Sequence, residues 1–248
     1  MTTEVDSIVI TLDLTGKRIR DFHEINCHLS SSPPEVLPGR DGSTMTDSEI
    51  LEEGLLTPEA LAWGGCTPGT IGVAASMRWI WQEVGARSEG ALVMEDDAQT
   101  HPQILDYIGS SKDELEKSDI TFFGYNTDAP LSMQTPEGLE LEMFSRPQYP
   151  STEWIGNALS KTKIKDVRPY KYLKGFGMLC YWISPQGARR IEERCFPLTL
   201  ETCHIPLLPH PMPGISIDRR LCAFYPELDA RITWPPLAYS QNSDSSTR

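Results

Sequence analysis

Short apolar runs alternate with amphipathic segments along most of the chain. Runs rich in β-branched residues predict strands at residues 7–14, 90–94, 119–124 and 178–183. Helical spacing of apolar residues predicts helices at 15–22, 69–84, 102–108 and 186–194, and another that begins near 215. Strands that alternate with helices are typical of an α/β domain with a mostly parallel central sheet.

Two long stretches break this alternation. Residues 30–58 and 126–160 are polar and rich in Pro and Gly, so we expect long, Pro-rich, irregular loops there, with one helical turn near 47–53. Proline, at 20 of 248 residues, exceeds its usual share of roughly 5%. We predict a single domain over residues 1–238. The polar residues 239–248 that follow are predicted to be a flexible tail.

The charge balance excludes some classes of partner. The chain has 22 Lys and Arg against 35 Asp and Glu, a formal net charge of −13. Such a chain is not expected to bind nucleic acid or anionic lipid through a basic surface. No apolar run approaches the ~20 residues of a membrane span, and no basic-then-apolar leader opens the sequence. The expected location is therefore the cytoplasm.

Three consecutive carboxylates, Glu95, Asp96 and Asp97, follow the predicted strand at 90–94. Ligands of open α/β sheets bind beyond the carboxyl ends of strands. Alternate side chains of an extended segment point the same way, so Glu95 and Asp97 could face one ligand while Asp96 faces elsewhere. Mg²⁺ and Mn²⁺ bind such oxygens together with substrate phosphates. A solvated acidic turn is the alternative, and the apolar strand before the triplet favours the metal.

Several further segments, together with the acidic triplet, occur in an order that resembles glycosyltransferase family 25. This group contains the lipooligosaccharide glycosyltransferases and the collagen galactosyltransferases. The matching segments are residues 8–13 with Arg18 and Arg20, 40–42, 56–76, 91–98, 119–124, 181–188, 217–219, and 235–236 with Gln241. The chain departs from the family pattern at Thr11, Leu14, Thr70, Val73 and Met77, which could redirect or abolish activity.

The resemblance implies a GT-A-type nucleotide-sugar-binding domain that transfers a hexose, most often galactose from UDP-galactose, with inversion and with Mn²⁺ or Mg²⁺. Asp97 then corresponds to the direct metal ligand, with Glu95 as a second carboxylate at the metal. Glu95 or Asp96 would bind the ribose or a metal-bound water.

Inversion needs a base opposite the leaving group. Asp218 matches a later aspartate of the family and stands at a predicted helix start, where a helix N-cap is the alternative role. Asp128 is a second candidate for the base.

The remaining predicted contacts concern the donor and the acceptor. Thr11, Asp13 and Arg18 lie in or after the first strand, where a uridine-contacting loop would lie. Ser76 is either a donor contact or a helix-packing hydroxyl. Trp154 and Trp234 lie in Pro-rich segments and are candidates for stacking on a sugar, with core packing as the alternative.

Three functions are compatible with this pattern. The first is a UDP-sugar-dependent transferase in lipopolysaccharide biosynthesis or a related pathway. Its acceptor would be a glycan, a lipid-linked sugar at the inner membrane face, or a peptide. The second is a catalytically inactive sugar-binding or scaffold module, which the departures from the family pattern favour. The third is a metal-dependent phosphohydrolase, which is less favoured because the histidines do not follow predicted strands.

Overall fold

The computed structural model describes residues 5–205 and 210–241 of the 248-residue chain, and their secondary structure is mixed α and β. The strands are β1 Ser7–Thr11, β2 Glu35–Pro38, β3 Ala91–Glu95, β4 Gln99–Thr100, β5 Ile120–Phe122, β6 Leu131–Gln134, β7 Glu140–Met143, β8 Arg168–Lys174, β9 Cys180–Ile183, β10 Thr202–Cys203, β11 Met212–Pro213, β12 Ala230–Trp234 and β13 Ala238–Tyr239. The helices are α1 Lys17–Ile25, α2 Asp47–Glu52, α3 Pro58–Ala62, α4 Pro68–Ala86, α5 Ile104–Leu115, α6 Thr152–Lys161, α7 Pro185–Cys195 and α8 Ile217–Phe224.

Within these described residues, nine strands form one sheet in the order β2-β1-β3-β9-β5-β12-β8-β6-β7. Strands β2, β1, β3, β5 and β12 run in one direction, and β9 lies antiparallel between β3 and β5. Strands β8, β6 and β7 extend the sheet by antiparallel pairing. The predicted α/β class with a mostly parallel sheet core is confirmed, and the antiparallel extension makes the whole sheet mixed.

Helices cover both faces of the sheet. Ile8 and Ile10 of β1 pack into a core with α4, α7 and α8, whereas Val9 packs into a second core with α1 and α5. Because β1 is buried on both faces, its sequence is continuously apolar rather than alternating. Helices thus cover both faces of the sheet, and the loops lie at its edges.

The two stretches predicted to be irregular contain regular elements. Residues 30–58 include β2, α2 and the start of α3, and residues 126–160 include β6, β7 and most of α6. Strand β7 alternates Glu and Leu or Met at the edge of the sheet, where one face remains hydrated. The polar composition of these stretches therefore gave no sign of the strands β2, β6 and β7, which are stabilised by pairing within the sheet.

The boundary predicted at residue 239 needs correction. Tyr239 belongs to β13, which pairs with β4, and Ser240 is buried. The folded domain thus includes both residues, while residues 242–248 of the predicted tail lie outside the described residues. Among the described helices, none has the length and apolar character that a bilayer crossing requires.

Candidate functional site

The carboxyl ends of β1 and β3 form the centre of the candidate site. These neighbouring strands are parallel, and Ile10 pairs with Glu95, so the residues that follow each strand meet at the same edge. The hydroxyl of Thr11 donates a hydrogen bond to Oδ2 of Asp96 at 2.7 Å. The topology therefore brings together two segments that the sequence predicted to bind one ligand.

Arg18 enters the same site from the first turn of α1. Its guanidinium forms an ion pair with the buried carboxylate of Asp96, and it lies 3.7 Å from Oδ2 of Asp97. Asp96 thus receives both a hydroxyl and a guanidinium from within the protein. In this arrangement Asp96 holds Arg18 in place, and Asp97 is the more accessible of the two aspartates.

Asp97 has 34% of its side chain exposed and is oriented by Ser240. The Ser240 hydroxyl donates to Oδ2 of Asp97 at 2.9 Å. Pairing of Tyr239 with Gln99 places Ser240 beside the acidic triplet. Sequence reasoning missed Ser240, because it lies in the predicted tail and a single serine carries no motif.

Glu95 and Asp218 lie close enough for their charges to interact. Loss of hydration raises the pKa of Glu95 to about 8, and the negative charges of Asp97, Asp218 and Asp96 add to this effect, while Arg18 opposes it. Loss of hydration also raises the pKa of Asp218. The charge of a carboxylate on α8 therefore acts on a carboxylate at the end of β3.

The backbone N–H of Gly177 holds the Asp218 carboxylate. This N–H donates to Oδ1 at 3.1 Å, and with the charge of Arg219 it partly offsets the rise in the Asp218 pKa. The N-cap of α8 is Ser216, so the N-cap role considered for Asp218 is wrong. The carboxylate reaches across to the loop before β9 instead of closing its own helix.

The other two predicted donor contacts, Asp13 and Ser76, form hydrogen bonds within the protein. Asp13 is in the exposed loop after β1, where its Oδ1 accepts the N–H of Thr15 at 3.0 Å. Ser76 is buried in α4, and it accepts the N–H of Arg40 at 2.8 Å and donates to the Gly72 carbonyl at 2.7 Å. Ser76 thereby ties the loop after β2 to α4, and its contact with a donor stays a prediction.

The two candidate stacking residues differ in their surroundings. Trp234 ends β12 and packs against the core that contains α4, α7 and α8. Trp154 lies in the first turn of α6 with 38% exposure, and its ring packs against Tyr239. Asp128, the second candidate for the base, lies between β5 and β6, and its role stays a prediction.

The donor chemistry of the site fits a hard divalent cation that arrives with a diphosphate. Within residues 5–205 and 210–241, no three His, Cys, Asp or Glu side chains are arranged as a complete metal cage. Mg²⁺-type ions are commonly held by one or two carboxylates together with substrate phosphates and water. Asp97 and Glu95 could provide two carboxylates of this kind.

The raised pKa of Glu95 predicts that the stability of the metal-free protein depends on pH. The pKa is about 8 in the folded protein against an ordinary 4.5, so the folded protein retains a proton that the unfolded chain releases. This contribution is complete below the unfolded pKa and is lost as the pH rises through the folded pKa. The free energy of unfolding should fall over this window, with a slope approaching about 1.4 kcal/mol per pH unit.

Glu95→Gln removes the titrating group and should flatten that slope. The measurement is urea unfolding of both proteins in EDTA at several values between about pH 5 and pH 8. Identical slopes for the two proteins would mean that Glu95 ionises as an ordinary carboxylate.

In comparisons with known proteins, no family model matches this chain, and no curated protein matches it. The resemblance to glycosyltransferase family 25 therefore rests on the sequence motifs themselves.

Proposed function

We propose that this protein is a metal-dependent inverting glycosyltransferase with a GT-A-type domain, which moves a hexose, galactose first, from a UDP-sugar to an acceptor hydroxyl. The observation that carries the proposal is that four segments of the chain, two of them neighbouring in sequence, meet near the carboxyl ends of β1 and β3. They contribute Thr11, Arg18, the triplet Glu95 to Asp97, and Asp218. All of these residues lie in the segments that resemble the family.

The carboxylates have separate roles in this proposal. Asp97, oriented by Ser240, and Glu95 would hold Mn²⁺ or Mg²⁺. When bound, the cation supplies positive charge that stabilises the departing diphosphate. Asp96 binds Arg18 rather than the ligand and so keeps a guanidinium beside the phosphates. Thr11 supports Asp96 with its hydroxyl.

Asp218 is the proposed base. A carboxylate with a raised pKa takes a proton from the acceptor hydroxyl more readily than an ordinary one does. Its hydrogen bond from the Gly177 N–H fixes one oxygen, and in this proposal the other would accept the acceptor proton. The proposed base lies on α8, and the proposed metal carboxylates lie at the end of β3 and directly after it.

The inactive sugar-binding or scaffold module remains the second proposal. The observation that favours it is that Arg18 already pairs with Asp96 and approaches Asp97, so the triplet is partly neutralised from within the protein. Under either proposal we place the protein in the cytoplasm, where the acceptor would be a glycan, a lipid-linked sugar or a peptide.

Calorimetric titration of UDP, with Mn²⁺ and then with EDTA, tests the donor site. We expect binding that requires Mn²⁺ and that Asp97→Asn weakens by about 1–3 kcal/mol, the scale of a lost charged contact. Asp113→Asn, which removes the same charge from an exposed position on α5, should bind as the wild type does. Binding that ignores both Mn²⁺ and Asp97 would overturn the metal role, and no binding would favour the inactive module.

A further inference from the structure

Trp154 presents an indole at the surface in a fixed orientation. Its ring meets that of Tyr239 edge to face, with centroids 5.6 Å apart and planes at 89°. It retains 38% exposure, whereas Trp81 and Trp182 are buried in the cores. Such pairs favour one geometry over free rotation of the ring. Contact with Tyr239 therefore fixes the orientation of the exposed Trp154 ring.

This surface adjoins the candidate site through continuous structure. Tyr239 is followed by Ser240, whose hydroxyl donates to Asp97. Tyr239 also pairs with Gln99, two residues after Asp97. The side chain of Gln241 donates to the hydroxyl of Thr152, which ties the start of α6 to the same segment. The indole of Trp154 is thus connected to Asp97, the proposed metal ligand, through Tyr239 and Ser240.

The chemistry of this surface suits a neutral pyranose. A pyranose ring carries hydroxyls around its rim and C–H groups on its faces, so an aromatic ring can cover a face while the hydroxyls stay paired with polar groups. Indole provides a broad apolar face at low entropic cost. A peptide acceptor offers a small side-chain hydroxyl with no comparable face.

We propose that Trp154, held by Tyr239, is the platform on which the pyranose ring of a saccharide acceptor stacks. This inference rests on the proposed function, because it assigns the acceptor class of that site.

The test is titration of methyl β-D-galactoside, methyl β-D-glucoside and methyl N-acetyl-β-D-glucosaminide into the full chain with Mn²⁺ and UDP present. At least one glycoside should bind, and Trp154→Leu should weaken that binding about fivefold or more. Trp154→Phe, which keeps an aromatic face, should lose less. Trp63→Leu, which alters another exposed tryptophan at 52% exposure, is the matched control and should bind normally.

UDP affinity separates this inference from the proposed function. If UDP binds equally to all variants but the glycosides ignore Trp154→Leu, or none of them binds, the platform is overturned while the donor site stands. If UDP fails to bind and a glycoside still depends on Trp154, the platform is supported and the UDP-sugar donor is overturned. Equal thermal midpoints of the variants show that each folds.

Discussion

Replacement of Asp218 with Asn is expected to lower turnover by about 10²–10⁴-fold while Mn²⁺-dependent UDP binding is unchanged. The amide has nearly the shape of the carboxylate, and its oxygen can still accept the N–H of Gly177. It cannot take the proton of an acceptor hydroxyl at neutral pH. The measurement is UDP release from UDP-galactose in the presence of an acceptor glycoside, paired with calorimetric titration of UDP.

Ser216→Ala on the same helix is the control. Ser216 is the N-cap of α8, but its side chain makes no capping hydrogen bond, so its loss should leave turnover near the wild-type value. Full turnover in Asp218→Asn would remove Asp218 as the base. Loss of UDP binding in that variant would instead place Asp218 in the donor site.

Gly177→Ala is expected to destabilise the protein by about 2–4 kcal/mol and to reduce turnover as well. Gly177 has a φ of +90°, and an added Cβ would lie 2.1 Å from Oδ1 of Asn126. Relief of that overlap requires movement of the Asn126 side chain or of the loop that binds Asp218. For a chain of this size the thermal midpoint should fall by roughly 5–12 °C, measured by circular dichroism.

Gly138→Ala is the control that separates the effect of the positive φ from the effect of the close contact with Asn126. Gly138 has nearly the same φ, +89°, but no atom lies within 4 Å of its added Cβ. This variant should lose only about 1 kcal/mol and retain full turnover. If the two variants were equally stable and equally active, the loop of Gly177 would have no role in holding Asp218.

The acidic triplet shows how much of the site the sequence could predict. A buried strand before Glu95 implied that the carboxylates stand at a sheet edge, and parallel pairing with β1 then brought Thr11 to the same place. The order of motifs selected Asp218, but nothing in the motif pattern identified Gly177 as its hydrogen-bond partner. Local pattern thus placed the residues of the triplet at the end of a buried strand, and their function stays a prediction.

The remaining parts depend on long-range pairing. Ser240 binds Asp97 across most of the chain, and Arg18 pairs with Asp96 although 45% of its side chain is exposed. Strand β8 carries Arg168 and Lys171 where part of its length is exposed, whereas Lys174 is buried and pairs with Glu142 of β7. Periodicity within a short window contains none of this information, since each contact is decided by the topology.

The antiparallel strand β9 has a consequence for how the chain reaches its fold. Ile183 pairs with both Ala91 and Ile120, so β9 completes the hydrogen bonding between two strands made far earlier. During synthesis on the ribosome, β3 and β5 each keep an unpaired edge until β9 has emerged. Open edges of this kind can pair with other chains. The middle of the sheet therefore forms late, because its pairing requires contacts between residues far apart in the sequence. Until then the nascent chain passes through a stage that favours chaperone binding.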